Sequence, residues 1–344
     1  MIPFTRRQSR VRVTDWSRTS FLIALMAAWL AGDATPARAD LSDILHSEGF
    51  YEAPLDHSEF GNIALIKVEI NGHPLRLILD SGAPETILSR SAAREVGLDG
   101  GTDIGSLDGL NGTADPHAER TTAQSFKING VELSPSPIIV SDFRGPMRIG
   151  RTFFDGLLGW ATLKRNNVVF GYNPKIFFFR PGAEPSRLLE EAFRADHYAE
   201  LQFYPHGNAY YVPLNLNGTD ARLKLDSGSP FTCVSTDFAQ LHIPGERSQI
   251  TSHGLYENSV EGIRSHGMDG NSIESHGVRP TTMAIGALKL PPSIIEESPA
   301  KAFNPSSHPG SEAYDGLLGF DLIGQFYAFL DFSNDRLYLH HAGN

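Results

Sequence analysis

The chain of 344 residues is 40% hydrophobic and 20% charged, a composition that excludes general disorder and leaves room for one large domain or two moderate ones. Its net charge of −11, with no lysine- or arginine-rich patch, excludes nucleic acid as a partner, because phosphates demand a basic surface. With 33 Gly and 22 Pro, turns are frequent, which suits short strands better than a helical bundle.

Residues 1–39 read as a targeting segment. Arg6, Arg7, Arg10, Arg12 and Arg18 precede an apolar run from Phe21 to Leu30, and Ala37-Arg38-Ala39 offers a small-x-small cleavage site. Arg6-Arg7 hints at the twin-arginine route, but the residues after it favour a general secretory signal. Export to the periplasm or beyond is expected, with cleavage near Ala39. The alternative is an uncleaved anchor, although the run is shorter than the ~20 residues a helical span needs. Loss of six Arg together with Asp15 and Asp33 takes the processed chain to −11 − 4 = −15. No later segment looks membrane-spanning. The one cysteine, Cys233, forms no internal disulfide and reads as core filler in an apolar run.

Residues 40–62 are polar and acidic, with no Lys or Arg, so they lack the basic residues with which a pro-segment would plug an acidic site. Apolar residues then recur loosely at every other position from Ile63 to Ile70, Asn71-Gly72 turns the chain, and Leu75 to Leu79 runs back as a second strand ending at Asp80-Ser81-Gly82. Ser89 is placed to cap a short helix from Arg90 to Val96 that Gly97 ends. The span Gly100 to Glu119 reads as a hairpin or loop, and a further hairpin turns at Asn129-Gly130. A strand at Ile138 to Val140, the run Asp155-Gly156-Leu157-Leu158-Gly159 and a closing hairpin from Val168 to Phe179, turned at Asn173-Pro174, complete the first half. Pro181, Gly182 and Pro185 mark a linker that leads into a short helix.

The first half is then written again. At an offset of 226 − 80 = 146, Asn71, Gly72, Arg76, Leu77, Leu79, Asp80, Ser81, Gly82, Pro84, Thr86, Ser89 and Ala93 meet identical residues, from Asn217 to Ala239. Asp315-Gly316-Leu317-Leu318-Gly319 returns at 319 − 159 = 160, and a hairpin from Tyr327 to Leu339 matches Val168 to Phe179. The extra 160 − 146 = 14 residues fall between His242 and Thr282. Two copies of this length imply two similar lobes about an approximate twofold axis. A strand ending in Asp, followed by a small hydroxyl residue and a glycine, offers a carboxylate at a loop tip, and two such loops face to face suit proton-shared acid/base chemistry.

Apolar-apolar-Asp-Ser-Gly, followed later in each half by Leu-Leu-Gly, resembles the aspartic peptidase signature of the retropepsin kind found in bacterial aspartyl protease domains. Two tandem copies resemble the single-chain, pepsin-like architecture. The resemblance implies an all-β fold of two aspartic-protease-type β-barrel lobes related by a pseudo-twofold axis, with short helices and a cleft between them. Its N-terminal lobe covers residues 40–180, an interlobe linker with a short helix 181–200, and the C-terminal lobe 201–344. It implies that Asp80 and Asp226 are the catalytic pair, that Ser81 and Ser227 hydrogen-bond across to the opposite loop, and that Gly82 and Gly228 let the loops approach. Leu157-Leu158-Gly159 and Leu317-Leu318-Gly319 are implied to thread behind them. Ser229, opposite Ala83, adds a hydroxyl to the second loop only.

The activity implied is endopeptidase action on a polypeptide substrate by a monomer, with no metal and no cofactor. The alternative is a peptide-binding module that keeps the fold without turnover. A pepsin-like flap carries a tyrosine near its tip; the stretch from Gly109 to Gly112 has none, which leaves closure to backbone, Leu110 or Met268, and Tyr256 sits at no obvious tip. Asp155 and Asp315 read as turn caps. His253, His266 and His276, in three Ser-His-Gly units, have spacings that match no compact ligand set. Phe177-Phe178-Phe179 reads as packing in an interlobe sheet.

Overall fold

The computed structural model describes residues 36–59, 63–109, 113–143, 147–173, 175–206, 209–245, 247, 263–266, 272–299, 303 and 314–341. The run from Phe21 to Leu30, Leu110, Asn111-Gly112, Pro174, His253, Tyr256 and Met268 lie outside the described residues. The chain divides into two compact units, Met1–Asp40 and Leu41–Asn344. Among the described residues no helix is long and apolar enough to cross a membrane.

The two halves build matching 10-stranded sheets. The first runs Thr102–Asp108, Thr113–Thr121, Ile138–Ser141, Thr86–Ser89, Gly156–Gly159, His73–Asp80, Ala64–Ile70, Phe126–Ile128, Val131–Glu132 from edge to edge, with Leu55–His57 pairing Ala64–Ile70. The second runs Ile263–His266, Ser272–Val278, Ile295–Ser298, Cys233–Ser235, Gly316–Leu318, Thr219–Leu225, Ala209–Leu216, Met283–Ile285, Leu288–Leu290, with Tyr204–His206 off the path.

Repeated residues do the same work in each sheet. Asn71-Gly72 and Asn217-Gly218 turn their hairpins at positive φ. Asn71 also latches the turn: its Oδ1 accepts from the Gln124 and Ser125 amides and its Nδ2 donates to the Val96 carbonyl. Asn217 does likewise with Thr281, Thr282 and His242. Ser89 and Ser235 cap Arg90–Glu95 and Thr236–His242 through the amides of Ala92 and Phe238.

A third, six-stranded sheet ties the halves together in the order Tyr51–Ala53, Ile176–Phe179, Val169–Asn173, Phe326–Asp331, Arg336–His341, Ala199–Gln202. At its centre Val169 pairs with Asp331, Phe170 with Leu330 and Gly171 with Phe329. At the repeat offset of 160, Phe329 is the copy of Val169 and Asp331 the copy of Gly171. Each residue therefore pairs with the copy of its partner, the signature of a local twofold through Phe170 and Leu330. Phe177, Phe178 and Phe179 are fully buried in this sheet. Phe177 and Phe179 face the main core and Phe178 the opposite side, as strand alternation requires. That opposite side is covered by Leu41 and Leu45 of the helix Pro36–Ser47 and by Leu189 and Phe193 of the helix Arg187–Ala195. Phe193 stacks on Tyr338 with ring centroids 3.9 Å apart. The segment expected as a linker is thus packed: its helix closes the core, and Ala199–Gln202 extends the shared sheet.

The halves diverge on one face. In the first sheet Ile63, Leu65, Ile78, Ile87, Ala118 and Ile139 form an aliphatic layer beside Asp80. Matched by offset and by pairing register, the second sheet places Ala209, Tyr211, Lys224, Cys233, Ser275 and Glu296 there. Glu296, paired in register with Cys233 as Ile139 is with Ile87, is buried, and its Oε1 and the Ser275 Oγ have no hydrogen-bond partner among the described residues.

Burial, reinforced by Asp321, pushes the Glu296 carboxyl from an ordinary 4.5 up to about 7. The folded protein therefore keeps this proton after the unfolded chain has released it, so the stability Glu296 contributes below about pH 4.5 is lost as pH rises towards 7. The loss should reach at most about 3 kcal/mol. Glu296→Gln should flatten that fall and leave the variant more stable than the parent at pH 8, read from urea midpoints at pH 4.5 and 8.

Candidate active site

Asp80 ends the strand His73–Asp80, and Asp226 follows the strand Thr219–Leu225. Leu77, Leu79, Leu223 and Leu225 are buried in the core, which anchors the backbone leading to each carboxylate. Asp80 Oδ1 accepts from the amides of Gly82 (2.8 Å) and Ala83 (3.0 Å). Asp226 Oδ1 accepts from the Gly228 amide at 3.0 Å. Each carboxyl group lies against the glycine of the opposite loop, and the two act on each other electrostatically.

The loops are clasped by a crossed set of four hydrogen bonds. Ser81 Oγ donates to the Leu225 carbonyl (3.0 Å) and accepts from the Ser227 amide (2.9 Å). Ser227 Oγ donates to the Leu79 carbonyl (2.7 Å) and accepts from the Ser81 amide (2.9 Å). Both serines are fully buried, so each hydroxyl satisfies a donor and an acceptor that water cannot reach. Glycine is required beside them. A Cβ on Gly82 would lie 2.6 Å from Asp226 Cγ, and one on Gly228 2.8 Å from Asp80 Cγ.

Behind each loop a short strand supports the aspartate. Gly156–Gly159 runs parallel to Leu77–Asp80 and antiparallel to Ile87-Leu88, and Gly316–Leu318 repeats this against Leu223–Leu225 and Cys233-Val234. Leu158 and Leu318 enter the core, while a Cβ on Gly159 or Gly319 would fall on the carbonyl of Glu85 or Phe231. The Gly159 and Gly319 amides donate to Thr86 and Thr232 Oγ1 at 3.4 and 3.0 Å.

Asp155 and Asp315 are more than turn caps: their carboxylates accept from the amides of Arg76 (2.8 Å) and Arg222 (2.7 Å), joining the supporting strand to the aspartate-bearing one. The Ser229 hydroxyl donates to the Phe231 carbonyl at 2.8 Å, within its own loop.

The repeat also hides two unequal residues that the motif does not reveal. Tyr172 is buried, and its hydroxyl donates to the Ser227 carbonyl at 2.9 Å; its copy at offset 160 is Phe332, so only one side of the pair is braced this way. Lys224 stands where the first half has Ile78. Burial pushes Asp80 above the ordinary carboxylate range and the neighbouring Asp226 adds to this, while Lys224 opposes both. Asp226 is likewise raised by burial and opposed chiefly by Lys224. The pair thus retains a proton well into the range where isolated aspartates have lost theirs.

One ionised and one protonated carboxyl, partly open to solvent, can take a proton from a water held between them and give one to a carbonyl oxygen. No group of His, Cys, Asp and Glu that could hold a metal occurs among the described residues. His276 is exposed, and it pairs with Glu297 in register.

Ser227→Ala would orphan the Leu79 carbonyl and the Ser81 amide together. It should cost about 2–4 kcal/mol in chemical denaturation, against a small effect for Ser229→Ala.

A sequence profile described as aspartyl protease matches residues 66–162. A retropepsin-like aspartic protease from Rickettsia conorii is similar in structure at 20% identity and a TM-score of 0.30, over 38% of this chain and 90% of that one. No curated protein matches by sequence. The matched residues 66–162 carry Asp80, Ser81, Gly82 and the strand Gly156–Gly159.

Proposed function

We propose that this chain is an exported aspartic-type endopeptidase whose catalytic pair is Asp80 and Asp226. The observation that carries the reading is the pairing itself: two carboxyl groups each lying against the opposite loop's glycine, set by their own loop amides and clasped by Ser81 and Ser227.

The ionised carboxylate removes a proton from the held water as its oxygen attacks the peptide carbonyl, and the protonated partner donates to the carbonyl oxygen. The tetrahedral intermediate collapses when a proton reaches the amide nitrogen, and the C–N bond breaks with no covalent enzyme intermediate. The pair acts as one titrating unit, so the starting proton belongs to both. An extended peptide laid across the two loops is the substrate this pair would take.

Asp80→Asn and Asp226→Asn should each lower kcat/KM on a peptide library by at least about 10²–10⁴-fold while leaving the far-UV circular dichroism unchanged. Because the pair's proton is held above the ordinary aspartate range, activity should persist from acid to near-neutral pH and fall as that proton is lost. Peptides bound and left intact across this range, or unchanged activity in both variants, would reject the catalytic reading.

Export rests on the arginines before the run from Phe21 to Leu30 and the Ala37-Arg38-Ala39 site. The mature protein from an expressing cell should begin at Asp40 by intact mass; a full-length membrane-bound chain would instead support an anchor.

A further inference from the structure

We infer that Lys224 makes this a protease of mixed specificity, receiving an acidic side chain of the substrate at the position beside the scissile bond that faces the second lobe. This rests on the catalytic assignment above. Leu223 and Leu225 point into the core, so strand alternation puts Lys224 on the other face, the one from which Asp226 projects two residues on. Ile78 holds the same place relative to Asp80, within the aliphatic layer of the first sheet.

Lys224 is part-exposed and is flanked in register by Tyr211 on one side and Leu317 on the other. Its ammonium lies 5.9 Å from the Tyr314 ring centroid, and Tyr211 and Tyr314 face each other at 5.9 Å. An aromatic face holds a cation in place without neutralising it. Among the described residues Lys224 has no carboxylate in ion-pair range, although its charge reaches both aspartates.

The first lobe offers an apolar surface to one substrate side chain, and the second offers a cation held against an aromatic ring to another. A carboxylate-bearing side chain, Asp or Glu, satisfies that charge.

The test is a matched set of peptides that vary only the residues flanking the cleaved bond, one position at a time, as Glu, Gln, Leu or Lys, with wild type, Lys224→Met and Lys224→Glu assayed at one pH. Wild type should favour Glu over Leu at one flanking position by about tenfold or more in kcat/KM. Lys224→Met should abolish that ratio, and Lys224→Glu should turn it towards Lys. An equal fall for every peptide would mean that Lys224 only tunes the aspartates, and an unchanged ratio would mean that the side chain does not meet substrate; either result overturns the inference while leaving the protease reading intact. If no peptide is cut, the same ratios measured as binding affinities decide the question separately from catalysis.

Discussion

Everything in this fold depends on two loops approaching so closely that nothing larger than a hydrogen atom fits at Gly82 or Gly228. That proximity makes the carboxylates a pair instead of two separate acids, and it is held by groups that cannot be satisfied any other way. The Ser81 and Ser227 hydroxyls, buried and reciprocal, each accept from the opposite loop's amide and donate to the Leu225 and Leu79 carbonyls respectively. Breaking one side leaves polar groups dry on the other, so the clasp is cooperative by construction. The six-stranded sheet reinforces the same axis from below, because Val169 and Phe326 strands pair about the point where Phe170 meets Leu330.

A twofold arrangement would by itself make the two aspartates equivalent. The chain breaks that equivalence at positions the clasp does not touch. Tyr172 braces the Ser227 carbonyl while Phe332 has no hydroxyl to offer, and Lys224 puts a positive charge where Ile78 puts none. The two halves keep the core-facing leucines and the loop glycines and differ in the layer beside the aspartates. The first lobe keeps an aliphatic layer; the second has gained Tyr211, Lys224, Cys233, Ser275 and Glu296 at corresponding positions.

Much of this architecture is legible in the sequence, for physical reasons. Asn71-Gly72 and Asn217-Gly218 stand out because positive φ narrows the choice of residue, and identical leucines at offset 146 stand out because both cores fill the same volume. Other features leave no such mark. The Asn71 side chain that latches Ser125, and the Asp155 carboxylate that reaches Arg76, depend on contacts between segments far apart in the chain, so a local reading sees only turn residues. The role of the segment after Pro185 is hidden similarly: turn residues announce a linker, yet Leu189 and Phe193 acquire their burial only when the shared sheet forms beneath them.

The polarity of the second lobe's inner face carries a cost that the fold tolerates. Glu296, Asp321 and Asp331 all sit where burial raises their proton affinity, and Asp80 and Asp226 join them at the centre. Asp321 and Asp331 are compensated by neighbouring hydroxyl and amide donors. Glu296 lacks that compensation at one oxygen. The retained protons also point one way in pH: each favours the folded, singly protonated form in acid. Each of these groups therefore stabilises the folded chain in acid and gives up that contribution as pH rises through its raised value.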